Sequence, residues 1–159
     1  MNAVLAPTIL TYSVNSKLLV NSFKNVTNSD ALKRPNRKTN SMMFLLLHII
    51  DARYFILKQL DKEIKNPFGK YVDWANSIED IKIYPKLNRV LTEWKVLNKI
   101  FMKKLETISS DKLKSKIEFQ FPGGNTALNM ISFLSEHEAY HVGQLGLIRK
   151  FLGFPSVKF

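Results

Sequence analysis

Apolar residues recur at intervals of three and four along most of the chain, which is the spacing of one face of an α-helix. The pattern predicts four long helices, at about residues 7–26, 41–65, 85–108 and 126–152. The third has the clearest buried face, formed by Leu87, Leu91, Trp94, Leu97, Phe101 and Leu105. No credible pair of strands accompanies these helices. The sequence therefore predicts an all-α protein, a four-helix bundle in a single domain that covers residues 1–159.

Residues that favour helix ends stand at the predicted boundaries. The predicted starts are Asn40 or Ser41, Pro85, and Asn125 or Thr126, and the predicted stops are Pro67 with Gly69, and Gly153. The connection at 27–40 is polar, and the segment 68–84 has room for a short turn of helix. Residues 116–121 (KIEFQF) alternate, which predicts one extended piece without an obvious partner, and FPGGN after it predicts a flexible connection.

The second predicted helix is apolar on nearly every side over residues 42–57 (MMFLLLHIIDARYFIL). A helix of this kind is either central in its own domain or buried in a second interface. In a bundle of this size the pattern favours a second interface, so we expect a homodimer.

Two of the three histidines of the chain, His137 and His141, are four residues apart on the last predicted helix. Residues at this spacing differ by about 40° around the helix axis and about 6 Å along it, so both imidazoles point the same way, beside apolar positions. Imidazoles left unpaired in an apolar interior are costly. A shared divalent ion is the simplest compensation, since neutral imidazole binds zinc, nickel, copper and iron. The pair alone is weak evidence, because the same spacing occurs by chance on surface helices.

His48 lies in the most apolar segment of the chain. An isolated histidine there would be interpreted as a core residue that is satisfied by a backbone carbonyl. A bundle, however, can bring His48 to the pair on the last helix. Three histidines without a fourth protein ligand leave one position for water or substrate, as in catalytic zinc sites. We therefore predict a metal site formed by His48, His137 and His141, and expect metal binding to weaken as the pH falls through about 6.5.

The net charge is +11, from 24 Lys and Arg against 13 Asp and Glu. Such a charge favours either a polyanion partner or a lysine-rich solvated surface. The basic residues are spread along the chain, only residues 32–38 are dense in them, and no nucleic-acid motif accompanies them. We interpret the charge as a solvated surface and do not expect binding to nucleic acid.

The chain has no cysteine, which excludes disulfides, thiolate ligands and a protein thiol nucleophile. Any sulfur chemistry requires a thiol from outside. No stretch reaches the roughly 20 uninterrupted apolar residues of a membrane span, and the N-terminus lacks the basic start of a signal peptide. We expect a cytoplasmic protein that does not enter the membrane.

Three segments resemble the motifs of the DinB-like (YfiT-like) four-helix-bundle proteins: HEAYHVGQLGLIRKFLG at 137–153, LLLHIIDARYFI at 45–56 and TYSVNSKLLVNSF at 11–23. The resemblance implies that His48, His137 and His141 bind a divalent metal, Zn²⁺ or Ni²⁺. Characterised members of the family are metal-dependent transferases or isomerases that use a low-molecular-weight thiol such as bacillithiol, mycothiol or glutathione. Val142 stands where the family often has an arginine, so whether this chain makes the contacts of that arginine is an open question.

The resemblance leaves alternatives for the reaction of an unknown small-molecule substrate. One is a metal-dependent hydrolase, since a bound metal can lower the pKa of water to about 7. Another is a non-catalytic stress-response bundle. Among nearby residues, Glu138 and Gln144 are the candidates for a catalytic role. Glu138, near the edge of the buried face, could orient a ligand, handle a proton or pair with a lysine. Gln144 could bond across helices or to a ligand, and Asp51 could support a metal-binding histidine or form a salt bridge.

Overall fold

The computed structural model describes residues 3–60, 63–71, 81 and 83–158. Four long helices form a bundle in this part of the chain, which confirms the predicted all-α fold. Two short helices and a small hairpin complete it. The elements are α1 (Ala6–Ser22), α2 (Asn28–Leu32), α3 (Met42–Gln59), α4 (Leu87–Thr107), α5 (Ser110–Lys114), β1 (Lys116–Phe121), β2 (Gly124–Thr126) and α6 (Ala127–Phe151).

The core lies between α1, α3, α4 and α6. Helix α1 packs against α6 and α4, and α3 packs against the same two helices from the other side. On α4, the predicted apolar face is buried except at Leu91, which is partly exposed, and Val90 is buried as well. Aromatic residues fill the centre, where the rings of Tyr12 and Phe101 meet edge to face at 4.8 Å.

Helix α3 is the most buried of the four. Twelve of its 18 residues are buried, and they lie on all sides of the helix. Packing within one chain therefore explains why α3 is apolar on nearly every side, because the helix is central in the domain. This burial gives no support for a second interface, and the homodimer stays a prediction.

Helix α1, with the turn before it, is long and apolar enough to cross a membrane, judged by length and composition alone. Its inner face makes specific contacts within the bundle. The hydroxyl of Tyr12 donates to the carbonyl oxygen of Ile131 at 3.2 Å. The side-chain amide of Asn15 donates to the carbonyl oxygen of Ser135 at 3.3 Å. In the structure one face of the segment packs into the bundle, against α6 and α4.

Several predicted helix ends are confirmed. The hydroxyl of Ser41 accepts a hydrogen bond from the N–H of Phe44 at 3.2 Å and caps α3, and Thr126 caps α6 in the same way through Asn129. Gly153 has φ of 84°, a left-handed conformation that suits glycine, and α6 ends two residues before it.

Three other predicted ends are wrong. Helix α1 ends at Ser22 instead of residue 26, because Asn25 has φ of 63° and breaks the helix there. Helix α3 ends at Gln59 instead of residue 65, and Asn66 donates to the carboxylate of Asp51 at 2.7 Å. A helix continued to residue 65 would place these two residues about 22 Å apart. Helix α4 begins at Leu87 instead of residue 85.

The polar connection at 27–40, predicted as a break, contains α2. Thr27 and Asp30 form a capping box, in which the Thr27 hydroxyl accepts from the N–H of Asp30 and the carboxylate accepts in return from the N–H of Thr27. A capping box indicates a helix start, but the many polar residues around it favoured the prediction of a loop. In the segment 68–84, the predicted short turn is present as a 3₁₀ turn at Gly69–Tyr71. Residues 72–80 and 82, with Trp74 among them, lie outside the described residues.

The extended piece has a partner, which corrects the prediction that it had none. Strand β1 pairs antiparallel with β2, with Lys116 opposite Thr126 and Phe121 opposite Gly124. The glycines of FPGGN make the turn, since Gly123 and Gly124 have φ of 86° and 138°. The partner strand is only three residues long, too short for alternation to reveal it.

Candidate metal centre

The structure brings the three predicted metal-binding histidines together. His48 projects from α3, and His137 and His141 project from α6. The Nε2 atom of His137 lies 3.3 Å from Nε2 of His48 and 3.0 Å from Nε2 of His141. One ligand atom of each residue lies within 4.8 Å of the others. We call these residues the histidine triad.

The spacing of these nitrogens fits a divalent ion. Zinc binds imidazole nitrogen at about 2.0–2.1 Å with tetrahedral angles, which places two ligand nitrogens about 3.3 Å apart. The two measured Nε2 separations, 3.3 and 3.0 Å, are close to that value. The donor set consists of imidazoles alone, which suits zinc, nickel, copper or iron better than magnesium or calcium. The residues present therefore fit a divalent metal ion from this group of four.

All three imidazoles are half-buried, although the sequence pattern placed them on buried faces. The triad thus lies at the edge of the core between α3 and α6 and is partly exposed to solvent. Aromatic rings border it. Phe44 lies parallel to the ring of His48 at 6.2 Å between ring centroids, Phe133 stacks on His137 at 6.3 Å, and Tyr140 meets His141 edge-on at 5.1 Å.

This apolar border keeps the imidazoles neutral. Burial lowers the pKa of His48 to about 4, with smaller contributions from His141 and His137. Burial and the neighbouring His141 lower the pKa of His137 to about 4. Burial also lowers the pKa of His141, against the opposing effect of a hydrogen bond to Gln144. At neutral pH the triad is therefore in the form that binds a metal.

Gln144, one of the two residues proposed for a catalytic role, contacts the triad directly. Its Oε1 lies 2.7 Å from Nδ1 of His141. Because an amide oxygen can only accept, Nδ1 of His141 carries the proton, and Nε2 presents its lone pair toward His137. A partner of this kind fixes the tautomer and orientation of a metal-binding imidazole.

Glu138, the other candidate, lies elsewhere. It is 2% exposed instead of lying at the edge of the buried face, and both of its carboxylate oxygens accept hydrogen bonds from Arg53, at 2.7 and 2.9 Å. The predicted alternative, that Glu138 pairs with a lysine, is wrong, because its partner is Arg53. Asp51, considered as a support for a histidine or as a salt-bridge partner, accepts a hydrogen bond from Asn66 at 2.7 Å, and this bond is not its only interaction.

Arg53 was missed in the sequence. It is fully buried, and besides Glu138 it donates to Asn98 at 2.6 Å and to Ser16 at 2.9 Å. Its guanidinium lies 4.2 Å from the centre of the Trp94 ring. We call Arg53, Glu138, Asn98 and Ser16 the Arg53 cluster. The signal was an arginine inside the most apolar stretch of the chain, since a buried charge requires a partner.

Comparison with known proteins agrees with this fold. The chain resembles the crystal structure of a conserved protein from Enterococcus faecalis, with a TM-score of 0.73 at 12% sequence identity, over 96% of this chain and 98% of that one. This likeness shows the fold. No curated protein matches the sequence significantly.

The family model of the DinB superfamily matches residues 12–145. The match includes His48 on α3 and both histidines of α6, along with most of each long helix. The chain therefore belongs to the DinB superfamily.

Proposed function

We propose that the protein is a divalent-metal-dependent enzyme in which His48, His137 and His141 hold Zn²⁺ or Ni²⁺, and that it is a transferase that uses a low-molecular-weight thiol activated at this site. The observation that carries the proposal is the convergence of three neutral imidazole nitrogens at 3.0 and 3.3 Å, at a half-buried edge of the bundle. A bound divalent ion with an open position would favour the thiolate, the nucleophilic form of such a thiol.

The residues of this chain supply the remaining requirements. Three protein ligands leave room for a further one, and the half-burial of the triad lets a small molecule approach it. Gln144 orients His141, and the rings of Phe44 and Phe133 limit the access of water. An external thiol is required because the protein has no cysteine.

Metal binding is tested first, on protein purified without a nickel column, by elemental analysis. The metal-free protein is then titrated with Zn²⁺ against a chromophoric chelator. We expect one ion per chain, and a loss of affinity of more than about 100-fold in His141→Ala, because the variant lacks a ligand rather than a supporting residue. Equal weak binding by wild type and by the three single alanine variants would contradict the metal site.

The thiol is tested on protein loaded with Co²⁺, which reports sulfur ligation by a new charge-transfer absorption in the near ultraviolet. Glutathione, bacillithiol and mycothiol are added in turn, and the hydroxyl analogue of the effective thiol is the control. We expect absorption with at least one thiol and none with its hydroxyl analogue. Metal binding without any response to thiols would favour the metal-dependent hydrolase, and the absence of metal binding would favour the non-catalytic bundle.

A further inference from the structure

The Arg53 cluster joins the four long helices at one buried point. Arg53 belongs to α3, Ser16 to α1, Asn98 to α4 and Glu138 to α6. The guanidinium makes two parallel bonds to the carboxylate and one bond each to the amide and hydroxyl oxygens, at 2.6 to 2.9 Å. Trp94 and Phe101 of α4 cover it, with ring centres 4.2 and 4.6 Å away.

Stability alone does not explain this arrangement. Removing two charges from water is costly, and well-packed apolar residues in place of a buried ion pair often leave a protein equally stable. What an arginine–carboxylate fork provides is geometry. Its two parallel hydrogen bonds form only within a narrow range of distance and rotation, whereas apolar side chains can slide and repack.

The position of the fork connects this geometry to the metal centre. Glu138 directly follows His137 on α6 and precedes His141 by three residues. Arg53 follows His48 by five residues on α3, which places it about 7.5 Å further along the axis and about 140° around it. The same two helices are therefore joined twice, by the fork in the core and by the triad at the edge.

We propose that Arg53 and Glu138 are positioning residues of the metal centre, which hold α3 and α6 at the separation and rotation that bring His48 to His137 and His141. This inference rests on the proposed metal site. In this role, the buried ion pair places His48, which lies on α3, while the other two histidines lie on α6. Without the fork, the pair on α6 stays intact, while His48 loses its fixed distance from it.

The test separates positioning from folding. Arg53→Met alone leaves the Glu138 carboxylate buried without its arginine, and it destabilises the protein. The double variant Arg53→Met/Glu138→Met replaces the whole pair by apolar groups, and its metal-free stability recovers toward that of wild type. We expect the double variant still to bind Zn²⁺ about 10- to 100-fold more weakly than wild type, as for other residues that orient metal ligands. The visible spectrum of its Co²⁺ form changes as well.

The matched control is Arg149→Met. Arg149 is a second buried arginine, on the far part of α6, which donates to the carbonyl oxygens of Ser22 and Lys24 at 3.0 and 2.7 Å. Its loss destabilises the protein but leaves the Zn²⁺ affinity and the Co²⁺ spectrum as in wild type.

A double variant with the Zn²⁺ affinity and Co²⁺ spectrum of wild type would overturn the inference. If the double variant does not fold, Glu138→Gln decides. It keeps one acceptor oxygen for Arg53 and is expected to bind Zn²⁺ with intermediate affinity, so unchanged affinity would again overturn the inference. A wild-type protein that binds no Zn²⁺ overturns the proposed function itself, and the wild-type titration alone identifies that case.

Discussion

The histidine triad and the Arg53 cluster lie between the same two helices, α3 and α6, and differ in composition. In the Arg53 cluster, the donors of a guanidinium meet carboxylate, amide and hydroxyl oxygens, so the chain supplies both charges and both hydrogen-bonding roles. In the triad, three groups of one kind converge, with Nε2 atoms 3.0 and 3.3 Å apart. A cluster of complementary groups holds a fold together, whereas a cluster of like, neutral acceptors suits a cation.

The largest expected difference between the two clusters is in stability. Arg53→Met leaves a buried carboxylate unpaired, so we expect it to lower the free energy of unfolding by about 3–5 kcal/mol. His137→Ala removes a half-buried neutral ring and is expected to cost about 1 kcal/mol or less. Urea unfolding of the metal-free proteins measures both values. Similar losses in the two variants would remove the distinction between the clusters.

The second difference is the response to metal. Zn²⁺ at about 100 times its dissociation constant should raise the free energy of unfolding of wild type by about 2.7 kcal/mol, because it binds the folded state. Arg149→Met should gain as much, while His137→Ala should gain little at the same concentration. Thermal or urea unfolding with and without Zn²⁺ measures the effect. An equal gain in His137→Ala would place the zinc outside the triad.

A smaller effect is expected at Gln144, which supports a ligand without being one. Gln144→Ala frees Nδ1 of His141 from its acceptor and should weaken Zn²⁺ binding about 10-fold. Gln144→Glu keeps an acceptor oxygen at this position and should bind nearly as well as wild type. Arg149→Met serves as a control, since Arg149 donates to backbone oxygens of Ser22 and Lys24 on another part of the bundle. A chelator competition in which Gln144→Ala binds Zn²⁺ as tightly as Arg149→Met would contradict this role.

A further test of the triad is the pH dependence of the metal-free protein. The pKa of His48 and of His137 is about 4 in the folded state, against about 6.5 for an unfolded chain. The unfolded state therefore binds more protons between these values, and the free energy of unfolding should fall as the pH drops from about 6.5 to about 4. Urea unfolding across this range should show a shallower fall in the double variant His48→Gln/His137→Gln. The low pKa values also shift the weakening of metal binding below the pH of 6.5 expected from the sequence.

Local signals in the sequence accounted for much of the fold and of the site. The four long helices follow from apolar spacing, and Ser41, Thr126 and Gly153 mark ends of α3 and α6 because capping is a contact between near neighbours. The wrong end of α1 has a local cause, the left-handed Asn25, whereas that of α3 accompanies a contact between distant residues. Helix α3 stops at Gln59 while Asn66 reaches back to Asp51. The strand β2 is three residues long and became visible only through its pairing with β1.

By itself, the sequence determined that His137 and His141 share one face of a helix, because helical geometry fixes the relation of residues four apart. It also named His48 as the third ligand, on the rarity of histidine and on family motifs, but for Gln144 it predicted only a bond across helices or to a ligand. Only the tertiary structure decided that His48 reaches the pair, that Gln144 orients His141 while Glu138 belongs to Arg53, and that the triad is half-buried. These facts depend on the rotation of one helix against another. That rotation is set by contacts between residues far apart in the chain, such as the 85 positions between Arg53 and Glu138.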